Sequence, residues 1–460
     1  MKHTVLRILI ASLLILAMAL PLFACDKGAS PGETTLPADT TAPPAETPTE
    51  ATTEAPTEAP MPTEVSLPEG YASADITYDC QDDSTLYTYG GKTEADFEAV
   101  CAHYKALGFR VYSDTAKNGS RFTTLVGDGP MAHIYWLKNA GELNLVLSQT
   151  AASTLPPVTP AVTTGDTAVS VTQIKDAAHV NGMGYVIQLA DGSFIVDDGA
   201  YSDQARKIVA TMEEMIPEGE TPLIRAWVMT HSHNDHWPTF SRVADRLASR
   251  VKVEYVMFAP IDPETAVAHG GDTYFNDKIH EDIAKLGAKT VYAHTGMEFT
   301  FCNLKMEILM SADDIYKTGN HNNYFNNSST VSRLYDESYS ALFTGDCGKE
   351  SSNLMEEIYG DYLKSDMCQI SHHGVEDVPL SFYETVKAST LFYPCSQWLY
   401  DQTDRHHDVR KACEEMASTK EVLIAGLGQY TRPWGTSFEA DAPLSVPDHP
   451  TGGILGGLNK

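Results

Sequence analysis

The chain changes its pattern of apolar and polar residues several times, and each change marks a different kind of segment. Residues 8–22 form an apolar run, interrupted only by Ser12, behind Lys2 and Arg7. The run is short for a membrane span and has the layout of a secretory signal over 1–24. From 25 to 68 almost no large apolar residue occurs and Thr-Glu-Ala-Pro units repeat. Such a stretch buries too little to offset the entropy of ordering it, which predicts an extended tether.

Periodicity returns at 69–152. Phe97, Val100, Cys101, Tyr104 and Leu107 fall at helical spacing behind a Thr93/Asp96 capping box, and Gly108 ends the helix. Strand-like runs follow at 109–112, 121–126, 133–137 and 143–147, parted by Asn118-Gly119 and Asn139-Ala140-Gly141 turns. This predicts a small α+β accessory domain. Residues 153–168, rich in Pro, Thr and Ala, read as a linker. Over 169–460, strand-like runs alternate with helical spacing at 203–216, 240–249, 277–286, 354–363 and 409–417. That alternation predicts an α/β domain, and periodicity alone says no more.

At 460 residues and 42% hydrophobic content the chain has material for two globular units. Its formal charge is −30, and setting aside Lys2 and Arg7 of the signal leaves −32. Such a molecule repels polyanions on average, which argues against a dedicated nucleic-acid binder unless one groove is locally positive. Of the eight cysteines, Cys25 directly follows Leu22-Phe23-Ala24. That ending resembles a bacterial lipobox, so the expectation is a lipid anchor at Cys25 and a place on the outer face of the cell membrane. The other seven, odd in number and scattered, do not form a disulfide framework, although Cys80 and Cys101 are a candidate pair. Cys347 reads as a small buried hydrophobe.

The candidate chemistry sits where the apolar run 223–229 ends in Thr230-His231-Ser232-His233-Asn234-Asp235-His236. Three imidazoles and a carboxylate at a strand end are costly to hold together unless a cation sits among them. At that turn they can converge on two neighbouring ions. Neutral imidazole and carboxylate suit zinc first, then manganese or iron; the alternative is a His-rich surface loop that merely titrates. His269 and His294 stand apart from other ligand types and read as loop and strand residues.

The His-x-His-x-Asp-His run resembles the signature of the metallo-β-lactamase superfamily. Upstream, 184–189 and 193–199 resemble that family's opening hairpin with its Asp-x-Gly turn. Downstream, Phe343-Thr344-Gly345-Asp346 resembles its bridging-aspartate motif and Ser371-His372-His373-Gly374 its late histidine motif. The resemblance implies a metallo-β-lactamase αββα sandwich and a dinuclear site. His231 and His233 would hold the first metal, Asp235 and His236 the second, with Asp346 bridging and one of His372 and His373 completing the second site. Asp197 would brace the ligand loop. In place of the family's third histidine stands Asn326-Asn327-Ser328-Ser329-Thr330-Val331, which resembles a segment of the competence protein ComEC. Asp235, His406 and His407 are the catalytic candidates; either late histidine would protonate a leaving group or simply cap a surface helix. Asn327 and Ser329 would bond substrate or satisfy their own loop.

The implied activity is hydrolysis by metal-activated water, with a phosphodiester or related ester of the cell envelope as substrate. A β-lactam or lactone substrate is the alternative within enzymes, and a non-catalytic surface binding lipoprotein the alternative of another class.

Overall fold

The computed structural model describes residues 59–158, 169–271, 273–319, 322–375, 378–404 and 407–447. The signal, Cys25, nearly all of the tether, much of the linker and His406 lie outside the described residues.

The accessory part opens with β1 (Ile76–Asp79) and β2 (Ser84–Tyr89), then α1 (Glu94–Ala106), β3 (Arg110–Lys117), β4 (Ser120–Val126), β5 (Met131–Leu137) and β6 (Glu142–Ser148). They form one antiparallel sheet in the order β1-β2-β6-β5-β4-β3. The capping box forms as its residues dictate: Asp96 N–H donates to Thr93 Oγ1 at 3.4 Å and Thr93 N–H to Asp96 Oδ2 at 2.8 Å. Phe97, Val100, Cys101 and Tyr104 are buried on the sheet, whereas Leu107, expected on that face, is the C-terminal cap and is exposed. The extended tether expected up to 68 does not run that far: Val65 is buried in the accessory core and exchanges hydrogen bonds with the Gln149 side chain, because its apolar side chain finds a partner that the Thr-Glu-Ala-Pro units lack.

The larger part continues with β7 (Ser170–Gln173), β8 (Gly184–Gln188), β9 (Phe194–Asp198), α2 (Ala205–Glu214), β10 (Leu223–Val228), α3 (Pro238–Arg246), β11 (Lys252–Phe258), α4 (Pro263–Ala268), α5 (Tyr274–Leu286) and β12 (Lys289–Tyr292). Then come β13 (Glu298–Phe301), β14 (Leu304–Met310), α6 (Ala312–Tyr316), α7 (Tyr324–Asn327), β15 (Val331–Tyr335), β16 (Ser340–Phe343), α8 (Lys349–Tyr359) and β17 (Met367–Gln369). The last are α9 (Leu380–Val386), β18 (Thr390–Tyr393), α10 (Gln397–Tyr400), α11 (His407–Glu415), β19 (Glu421–Ile424) and β20 (Tyr430–Pro433). The strands make two sheets, β12-β11-β10-β9-β8-β7-β20 and β13-β14-β15-β16-β17-β18-β19.

The period of two along each strand decides the layers. Ala226 and Val228 of β10 join Ile195, Tyr185, Phe343, Met367 and Phe392 in a core between the sheets, while Trp227 turns outward to Phe240 under α3, and a register shift against β9 between Ile224 and Ala226 puts Ile224 on that outer face too. On the second sheet Ala341 and Phe343 face inward, and Leu342 faces Met355 and Phe382 of α8 and α9. The result is the αββα sandwich, each buried large apolar side chain contributing about 1.5–3 kcal/mol. All seven cysteines of the described residues are free; Cys80 and Cys101 do not pair because they point into different cores.

Candidate metal centre

In both sheets the parallel strands β9, β10, β16 and β17 end on the same side as the loops that carry the candidate ligands. The loop after β10 supplies His231 to His236, the loop after β16 supplies Asp346, and the turn after β17 supplies His372 and His373. Two of these loops need unusual backbone. Gly345 has φ +56°, and a Cβ there would lie 2.8 Å from Thr230 Cβ and 2.9 Å from Ser329 Oγ. His372 and His373 both have positive φ, 46° and 55°. A strained pair of non-glycine residues costs energy that the surrounding packing must hold in place.

Two overlapping groups result. Asp235, His236, Asp346 and His373 converge in one, and His231, His233 and Asp346 in the other. His236 Nε2 lies 3.2 Å from Asp346 Oδ2, His373 Nε2 lies 3.1 Å from Asp235 Oδ2 and 3.4 Å from Asp346 Oδ2, and His231 Nε2 lies 3.8 Å from Asp346 Oδ2. His372 stands at the edge, 3.9 Å from Asp346 and within 3.4 Å of Asn326 Nδ2.

The far side of each ring is tied down. His236 Nδ1 meets Asp198 Oδ2 at 2.7 Å, His373 Nδ1 donates to the Pro394 carbonyl at 2.7 Å, and His231 Nδ1 lies 3.1 Å from Thr230 Oγ1 and 3.3 Å from Ser329 Oγ. The near side is not: Nε2 of His231, His236 and His373 and Oδ1 of Asp346 are buried with no hydrogen-bond partner among the described residues. Buried polar atoms are normally satisfied. Rings braced at Nδ1 with Nε2 converging on a shared carboxylate are the donor set that divalent cations require. The residues therefore fit the group that the fold implies.

The electrostatics divide the rings: burial lowers His231 and His233, whereas Asp346, Asp198 and Asp235 outweigh burial and raise His236 well above its ordinary value, the field of a site that favours positive charge. Burial holds His231 well below its ordinary value, so the ring is neutral and able to donate a lone pair. Burial opposes charge on His373, but Asp346 and Asp235 outweigh it and lift the ring to about 10. Against its own burial, Asp346 is held well below the carboxylate range by His236 and His373.

The brace expected at Asp197 is Asp198. Asp198 accepts the Thr230 N–H at 2.8 Å and the Thr230 hydroxyl at 2.7 Å as well as His236. Strand alternation explains the shift: Ile195 and Asp197 point between the sheets, and Asp198, with φ 52° at the strand end, swings to the ligand loop. Burial, beside Asp198, raises Asp197 well above its ordinary value. Asn181, whose Nδ2 donates to Asp235, was not legible in the sequence because nothing in its local pattern marks it. Asn327 satisfies its own loop, accepting from the Gly348 N–H and the Ser351 hydroxyl. Ser329 accepts the Asp346 N–H at 3.1 Å.

His407 begins α11 half-exposed, and Asp408 is its ion-pair partner among the described residues. His294 is not isolated. The accessory part brings Asp82 to 3.1 Å from its Nε2, and Asp313 lies 2.7 Å from its Nδ1, with Cys80 beside them. Unlike the metal centre, this cluster leaves no atom of Cys80, Asp82, His294 or Asp313 orphaned.

No family model and no curated protein matches the chain. Among solved structures it resembles the metallo-β-lactamase fold protein YhfI from Bacillus subtilis, at 14% identity over 57% of this chain and 99% of that one, with a TM-score of 0.37. It also resembles Igni18, a metallo hydrolase from Ignicoccus hospitalis, at 13% identity over 59% of this chain and 100% of that one, TM-score 0.34. A third is a CmlA β-hydroxylase mutant, at 11% identity over 58% of this chain and 54% of that one, TM-score 0.36. These superpositions are loose. The order of strands in the two sheets, with helices packed on their outer faces, makes this an αββα sandwich whose candidate ligand loops gather at one edge.

Proposed function

We propose that the protein is a dinuclear metal-dependent hydrolase acting on a phosphodiester or related ester at the outer face of the cell membrane. The observation that carries this reading is the set of buried, unpartnered Nε2 atoms of His231, His236 and His373 around Asp346. In it His231, His233 and Asp346 would hold one ion, and Asp235, His236, His373 and the same Asp346 would hold the other, zinc being the metal these residues suit first. Lewis acidity toward the ester oxygen and a water activated near neutral pH are what such a pair supplies when bound.

The chain's own residues do the rest. Asp346 is shared between the two groups, so its burial fixes their separation. Asn181 donates to Asp235 and orients its carboxylate toward the shared space. Neither Cys347 nor Ser371 is a candidate nucleophile: the Cys347 thiol is buried and pushed up to about 12 by that burial, and the Ser371 hydroxyl donates to the Cys347 carbonyl at 2.7 Å. A phosphodiester is favoured over a lactam by the Asn326 to Val331 segment, which resembles that of ComEC. The anchor at Cys25 and the Thr-Glu-Ala-Pro segment before the packed residues around Val65 would hold the folded part away from the membrane.

The test is metal content by elemental analysis of the full chain, with bis(p-nitrophenyl) phosphate turnover by wild type and Asp346→Ala. About two metals per chain and turnover lost in Asp346→Ala support the reading. Two metals with hydrolysis of a β-lactam or lactone instead would transfer it to those substrates. A chain that binds no metal sinks it in favour of a binding lipoprotein.

A further inference from the structure

In a chain of net charge −30 a positive surface stands out, and its arginines locate one. Arg121, Arg225, Arg250, Arg333 and Arg432 are each ion-paired with a carboxylate, and Arg410 donates to backbone carbonyls. The side chains of Arg206, Arg242 and Arg246 make no hydrogen bond or ion pair with any described residue, and all three line one open cavity of about 570 Å³ with Ser202, Asp203, Ala205 and Leu247. The only acid in that lining, Asp203, faces His179, whose Nε2 is 3.7 Å away. Three unpaired guanidinium groups confront a single carboxylate. Exposed arginines kept clear of partners in so acidic a protein await an external anion.

The cavity is coupled to the metal centre through short connections. Arg206 is the second residue of α2, which follows the strand that ends in Asp198, and α3 starts two residues after His236. Thr239 Oγ1 donates to the Tyr201 carbonyl at 2.7 Å, and the Tyr201 hydroxyl donates to Asn181, which in turn bonds Asp235. Arg242 and Arg246 share one face of α3 at i and i+4. With 1.5 Å per residue they lie roughly 9 and 15 Å along the helix from His236, a spacing that a chain of successive phosphates can match.

We infer that this cavity is a subsite for further phosphates of a substrate made of repeated phosphodiesters without bases, a polyol phosphate chain, one of whose linkages lies at the metal centre. The inference rests on the hydrolase reading and narrows its substrate class. Guanidinium groups clasp phosphate oxygens in a bidentate fork. Strands of nucleic acid are instead gripped by stacking bases on aromatic rings, and no aromatic side chain lines this cavity.

The experiment is fluorescence anisotropy of labelled oligo(glycerol phosphate) on the full chain, with metals in place and again after chelation to stop turnover. Wild type is compared with Arg206→Gln/Arg242→Gln/Arg246→Gln and with the matching triple Lys variant, each checked by thermal melting. The expected result is a loss of about tenfold or more in affinity for the Gln variant, a shallower dependence on salt by about two counterions, and partial retention in the Lys variant. Arg242→Gln alone serves if the triple variant does not fold. Equal binding by wild type and variant, or no binding by wild type, overturns the inference. So does tighter, arginine-dependent binding of oligothymidylate of equal charge, which would assign the cavity to nucleic acid. Bis(p-nitrophenyl) phosphate turnover by wild type separates the two ideas: binding that depends on the arginines without turnover sinks the hydrolase and leaves the subsite. Turnover with arginine-independent binding does the reverse.

Discussion

Lys117, at the end of the accessory strand β3, places its ammonium 2.7 Å from Oε2 of Glu307 on β14, and their side chains are 1% and 0% exposed. Glu307 also accepts from Arg333 Nε at 2.6 Å and from the Tyr362 hydroxyl at 3.0 Å. A carboxylate and two cations taken out of water are held by one another, and removing the member common to both pairs leaves two buried charges uncompensated. Glu307→Gln is therefore expected to cost about 3–5 kcal/mol. Lys117→Met, which leaves Glu307 with Arg333 and Tyr362, should cost far less. Urea unfolding followed by tryptophan fluorescence measures both, and equal losses would refute this account of the pair. With Tyr135 donating to Asp314 at 2.8 Å and Lys317 Nζ 2.6 Å from Glu142, the two parts should melt in a single calorimetric transition.

How much of this was legible in the sequence follows from where the information lies. That His231, His233, Asp235, His236 and Asp346 would converge was legible because a cation site needs several donors of a few types, and here most sit in one loop at a strand end. Helix α1 was legible because its capping box and apolar face are local. The His294 cluster was not, since Asp82, His294 and Asp313 lie far apart in sequence and meet only when the accessory sheet docks. Nor was it legible that His373 and not His372 joins Asp235, His236 and Asp346, since the turn that aims the two rings has positive φ at both residues.

The same reasoning makes Asp197 and Asp198 a test of strand geometry. Asp198→Asn removes the acceptor from His236 Nδ1 and from the Thr230 N–H and hydroxyl. Loss of an outer hydrogen bond to a metal-binding histidine typically costs about 10–100-fold in affinity. Metal affinity measured by chelator competition should fall by that much in Asp198→Asn and hardly at all in Asp197→Asn. The opposite order would return the brace to Asp197.

Two histidines at the junction of the parts set opposite limits on pH. Burial holds His133, bonded to Thr124 and the Thr295 carbonyl, down at about 3. Burial also opposes charge on His294, but Asp82 and Asp313 raise it to about 10. Both titrate near 6.5 when unfolded. The contribution of His294 is fully present below about 6.5 and is lost as pH rises toward 10, at most about 5 kcal/mol. That of His133 is present above about 6.5 and is lost as pH falls toward 3. Stability should therefore peak near pH 6.5, and His294→Asn should flatten the alkaline limb of a melting-temperature profile while leaving the acid limb. An alkaline limb unchanged by the substitution would remove His294 as its cause.

Ser329 occupies the segment where the resemblance would place a further histidine, and its hydroxyl both accepts the Asp346 N–H and lies 3.3 Å from His231 Nδ1. Ser329→Ala leaves the Asp346 amide buried without that acceptor, a loss of about 1–3 kcal/mol, and frees the His231 ring on one side. Because His236 and His373 keep their own braces, the effect should fall on the ion held by His231 and His233 alone. Titration of the metal-free variant is expected to show one site near wild-type affinity and one weakened about tenfold, with Ser329→Thr recovering most of the difference. Two sites weakened together would mean that Ser329 acts through the shared Asp346 instead of through His231.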